Sequence, residues 1–270
     1  MNEYIILTNK EIYVLQSMIE APVIIGMENP FLGLLGKEIE EEWKNTVSGL
    51  IEKGFIGIDN ESAWIDEDLI IYMSIMANTN VVLQIDSPDE QLPLSIFYFT
   101  EEYTVECEQI NHNLYKLSRR GSPSETFQHV ILPKLGIDQL SISKKGRLLL
   151  PGHFVNDFCK INRIPESLVN QINQLNKTEQ GRKLWKDLKK SLDKADRFRG
   201  MMFFFYHHDQ WSVEGLITLF SPVNNWGFKM VNINNKEYLE AEQVDLIGMT
   251  KEYISVIDRA VSGGKSLLWN

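Results

Sequence analysis

The sequence predicts an α+β fold, a pseudo-twofold body with helices around one broad shared sheet, and two observations carry that expectation. Residues 81–135 and 201–260 each read as four short strands followed by one amphipathic helix. Each strand set leaves one face to be covered, and a single helix per set can cover it. Ahead of the first unit, residues 8–64 read as helix, helix, strand and turn, in the manner of a small winged helix. The 270 residues then form a single domain of two related halves, residues 1–135 and 136–270. A duplicated platform of this kind serves binding more often than catalysis.

The elements follow in order. Thr8 can cap a helix, its hydroxyl accepting from the Glu11 N–H while the Glu11 side chain reaches back, and Ile12, Leu15 and Ile19 supply the buried stripe. A second helix runs over residues 37–53 with Trp43, Val47, Leu50 and Ile51 on its apolar side, and Gly54 ends it. A short strand over residues 55–58 and a third helix over residues 66–77 lead to the first repeated unit. There, residues 81–85, 94–100, 103–110 and 114–118 alternate or run apolar between turn residues. Ser122-Pro123 opens the helix carrying Phe127, Val130, Ile131 and Leu135, with proline where a missing N–H costs nothing. Between the units, residues 148–161, 165–175 and 178–196 read as helices. The second unit places strands at 201–206, 213–221, 226–233 and 238–244, and a closing helix at 249–260.

Composition excludes several function classes. A formal net charge of −10 opposes binding to phosphate backbones and anionic lipid, so nucleic acid is not an expected partner. The second helix of the winged-helix-like element begins with Glu38, Glu40, Glu41 and Glu42, where phosphates would lie. The first residues lack a basic stretch leading into an uninterrupted apolar run, and no segment approaches the roughly 18–20 apolar residues that span a bilayer. A cytoplasmic location without stable membrane insertion is therefore expected. Cys107 and Cys159 lie far apart with no histidine at ligand spacing, which argues against a disulfide framework or a zinc site.

No catalytic residue, metal or cofactor is predicted. His207-His208-Asp209 is the densest cluster of reactive side chains, but adjacent residues on a strand point to opposite faces, and such residues favour turns. Gly264-Lys265-Ser266 resembles the end of a phosphate loop, yet Arg259 stands where that loop requires glycine.

Three segments, taken in order along nearly the whole chain, carry a family resemblance. LTNKEIYVLQSMI at the start, LIEKGFIGID followed by WIDEDLIIYMSIMAN, and EYLEAEQVDLIGMTKEYISVIDRAV near the end resemble the EspG-type chaperones of type VII (ESX) secretion. Within that family they are most similar to the EsaE-like proteins of Firmicutes. The resemblance implies a central, mostly antiparallel sheet and a non-enzymatic chaperone for protein export. Its partner would be a secreted helical substrate or effector toxin, kept covered and helped towards the secretion ATPase. Two alternatives come from other classes, a winged-helix transcriptional regulator and a hydrolase using His207 or His208.

The expected partner surface centres on the run Met201-Met202-Phe203-Phe204-Phe205-Tyr206. Such a run is either a central strand buried on both faces or a strand with one face open, and methionine and aromatics suit the second role. Phe203 and Phe205, with Trp211 and Trp226 nearby in sequence, are the residues expected to bind the partner.

Overall fold

The computed structural model describes residues 4–59, 62–86, 93–135, 146–195, 197–207, 210–245, 250–251 and 253. Strand β1 (Tyr4–Thr8) runs into helix α1 (Asn9–Met18), where the expected cap forms. Thr8 Oγ1 accepts from the Glu11 N–H at 3.2 Å, and the Glu11 carboxylate accepts from the Thr8 N–H at 2.7 Å. Helix α2 (Gly36–Glu52), the hairpin of β2 (Ile56–Asp59) and β3 (Ser62–Ile65), and helix α3 (Glu67–Asn78) complete the winged-helix-like element. Strands β4 (Val81–Asp86), β5 (Ser95–Phe99), β6 (Thr104–Asn111) and β7 (Leu114–Arg120) follow. The helix after them starts as α4 (Pro123–Thr126), widens into a π segment (Phe127–Ile131) and ends as α5 (Leu132–Leu135).

The second half opens with strand β8 (Arg147–Pro151) and helices α6 (Phe154–Ile161), α7 (Glu166–Leu175) and α8 (Glu179–Leu192). Strands β9 (Arg197–His207), β10 (Gln210–Phe220), β11 (Trp226–Ile233) and β12 (Lys236–Gln243) complete it. The expected helix over residues 148–161 is corrected here, because its first part is β8. Leucine favours helices in isolation, but pairing with β12 buries Leu148 and Leu150 on one sheet face and overrides that preference. Of the closing helix expected at 249–260, only Thr250, Lys251 and Tyr253 are described. His208, Asp209 and residues 262–266 lie outside the described residues.

Among the described residues, ten strands form one sheet in the order β1-β7-β6-β5-β4-β9-β10-β11-β12-β8. Neighbours in this order all pair antiparallel, and the halves meet where β4 lies against β9 with Leu83 opposite Phe203. Read outward from that junction, β4-β5-β6-β7-β1 on one side matches β9-β10-β11-β12-β8 on the other. A twofold between β4 and β9 relates the two orders.

Cross-strand partners share a face, so the register assigns every strand residue to one side. One side carries both helical layers. Helices α1 to α3 pack Leu15, Leu50 and Met73 with Val82, Tyr98 and Leu117, while α6 to α8 pack Phe154, Trp185 and Leu188 with Leu219, Trp226 and Phe228. On the opposite side, Phe127, Ile131 and Leu135 cover Leu83, Phe97 and Phe203. Tyr253 joins them, its ring stacked on Phe127 at 3.9 Å between centroids.

In the first half, a loop between α1 and α2 seals the sheet over β5. The Tyr98 hydroxyl donates to the Ile25 carbonyl at 2.7 Å, and a Cβ on Gly26 would stand 2.6 Å from Ile96 Cδ1. Gly26 has φ +83°, a region costly to residues with a Cβ. Gly26→Ala is therefore expected to lower stability by about 1–3 kcal/mol in urea titration, mainly through the backbone, since the Ile96 methyl can turn aside. The outer edge of β8 is closed differently. The Asn176 amide accepts from Leu149 N–H at 3.0 Å and donates to the Leu149 carbonyl at 2.7 Å, standing where a neighbouring strand would.

Candidate functional site

Of the four residues expected to bind a partner, the structure leaves one well exposed. Trp226 is 0% exposed under α8, its indole N–H donating to Ser191 Oγ at 3.0 Å, and Phe203 is buried against Tyr253 with ring centroids 5.7 Å apart. Both are core residues, and their assignment to a surface is corrected. Phe205 is half-buried on the side covered by Phe127 and Ile131. Trp211 lies on the other side of the sheet, 39% exposed, with its ring 5.4 Å from that of Tyr206.

Around Trp211 the sheet itself is open. Strand β10 pairs with β9 along its whole length, from Gln210 opposite His207 to Phe220 opposite Arg197, and β11 pairs with β12 from Trp226 to Ile233. The two hairpins pair with each other only from Leu216 opposite Lys229 to Leu219 opposite Trp226. Beyond that rung the strands continue without a ladder between them, so the sheet is split towards the hairpin tips. Among the described residues the first half shows no such split. All of β5 pairs with β6, and the Gln109 N–H extends the ladder to the Leu94 carbonyl at 2.9 Å.

The split is lined on one side by Tyr206, Trp211, Val213, Gly215 and Met230, with Val213 56% and Met230 52% exposed. On its other side stand Ser212, Glu214 and Lys229. The apolar side continues into a groove of about 470 Å³ between the sheet and α6, floored by Met202, Gly215 and Ile217 and reached by Lys160. Asp86 closes one end, its carboxylate lying over Gly200, where a Cβ would be 2.2 Å from Oδ1. Burial raises the Asp86 carboxyl above the ordinary aspartate value, opposed by a hydrogen bond to its own backbone.

Sequence reasoning missed Val213, Gly215 and Met230. The signal was present in Trp211-Ser212-Val213-Glu214-Gly215, where apolar and polar residues alternate as they do on a half-open strand. Among the described residues, no group of His, Cys, Asp and Glu is placed to hold a metal ion, and no helix is long and apolar enough to cross a membrane.

Two antiparallel five-strand units joined about a twofold, with both helical layers on one face, define an EspG-like fold. The chain is similar to the solved structure of the Mycobacterium tuberculosis type VII secretion system chaperone EspG5 in complex with the PE25–PPE41 dimer. The match has a TM-score of 0.52 and 10% identity over 88% of this chain and 90% of that one. At that identity the likeness is one of fold. No protein-family profile and no curated protein matches the sequence.

Proposed function

We propose that this protein is a substrate-binding chaperone of a type VII secretion system, related to the EsaE-like proteins of Firmicutes. It acts in the cytoplasm on a secreted helical protein or effector toxin and presents it to the secretion ATPase. Its action is binding, without a catalytic step, metal or cofactor. The observation that carries this reading is the strip of Trp211, Val213, Gly215 and Met230, left exposed on a sheet whose corresponding surface in the first half is sealed. An apolar strip of this kind can cover an amphipathic helical surface and prevent its self-association without consuming ATP.

The test is a tagged pull-down from the native cytosol, read by mass spectrometry, with Val213→Asp in parallel. The Val213 side chain is exposed, so the aspartate variant is expected to keep its melting temperature within a few degrees while losing the co-purifying export substrate. Retention of the same substrate by the folded variant removes the strip from the interface.

A further inference from the structure

We propose that the split between β10 and β11 receives an extended segment of the partner as an added strand. This deepens the reading of the strip as a protein-docking surface and rests on it.

The backbone directions set up the site. In an antiparallel ladder, the N–H and C=O of one residue face the same neighbour, and alternate residues face opposite neighbours. The turn Asn234-Asn235, with φ of +52° and +58°, closes a two-residue hairpin on Ile233 and Lys236. Such a hairpin ends in a mutually bonded pair, so the backbone of Ile233 faces β12. Alternation then turns Asn232, Met230 and Phe228 towards β10. Phe228 is opposite Ile217, so Ile217 faces β11, and Gly215, Val213 and Trp211 face the same way. The ladder stops before Gly215 and Met230. The backbone groups of Trp211, Val213 and Gly215 on one edge, and of Met230 and Asn232 on the other, are therefore directed into the split.

The side chains specify the occupant. One side of the split is apolar, with Trp211, Val213 and Met230, and the other carries Ser212, Glu214 and Lys229. A strand lying between them would alternate apolar and polar residues. It would also need both of its own edges free. This rules out a strand lent by a second copy from its own sheet edges, since β1 is already bonded to β7 and β8 to β12. An extended tail or linker of the partner meets both requirements. Gly215, whose Cβ position has nothing within 4 Å, marks the inner limit of the slot.

A display library of random dodecapeptides selected on the purified full-length protein tests this, with Val213→Pro and Val213→Ala screened beside it. Proline at 213 removes an N–H directed into the split and leaves the β9 ladder intact, so this variant is expected to fold. The expected result is enrichment of peptides with period-two apolar spacing, whose binding falls at least tenfold with Val213→Pro and much less with Val213→Ala. Should Val213→Pro unfold, amide exchange on the unaltered protein decides, with slowed exchange at Val213, Gly215, Met230 and Asn232 expected on adding a selected peptide. Peptides of helical spacing that leave those amides unprotected overturn the added strand and leave the docking surface standing. No enrichment over a Gly215→Trp control overturns both.

Discussion

Trp226→Ala is expected to lower the unfolding free energy by about 3–5 kcal/mol, the range for truncating a buried aromatic residue. The side chain is wholly enclosed between the sheet and α8, among Leu188, Leu192, Phe198 and Leu219. Its removal leaves a cavity that rigid strands on one side cannot close, and it leaves the Ser191 hydroxyl without its indole donor. Urea titration by circular dichroism measures the loss. A folded variant of unchanged stability would contradict the packing described for α8. Loss of partner binding in this variant would follow from unfolding and would carry no information about the interface.

Gly215→Trp is expected to do the reverse, abolishing partner binding while leaving stability within about 1 kcal/mol, the usual range for a surface change. The position lies in a strand, its Cβ would meet nothing within 4 Å, and it floors the groove beside Met230. An indole there fills the space a partner would occupy. Paired isothermal titrations of the unaltered and variant proteins with the co-purified substrate read the effect. Equal affinities would place the interface elsewhere on the molecule.

Trp226 and Trp211 also show what a sequence reveals and what it hides. Both tryptophans of the second unit follow turn residues, and both lie on the same face of the sheet, yet Trp226 is covered and Trp211 is not. The difference is set by α8, more than thirty residues away in sequence and legible as a helix but not in its placement. The repeated four-strand units were legible because each strand alternates or runs apolar and polar or turn-forming residues separate one strand from the next. Strand β1 was not, since five residues leading straight into a capped helix carry too little pattern to separate from that helix. Nor was β8, whose leucines favour a helix until β12 pairs with them. The split between β10 and β11 is a matter of where a ladder ends, and no local residue preference encodes that.

The junction of β4 with β9 has a consequence for synthesis. Val82 meets its partner Phe204 only after about 120 further residues have been made, an interval on the order of ten seconds at ribosomal rates. A first unit that folded within that time would present β4 as a bare strand edge carrying Val81, Val82, Leu83 and Ile85, all of which are buried in the finished protein. The same twofold geometry that later admits β9 would let two nascent chains on one messenger pair β4 against β4. Fewer ribosomes per messenger would then be expected to raise the fraction of chains that reach the native state, measured as soluble yield at matched expression.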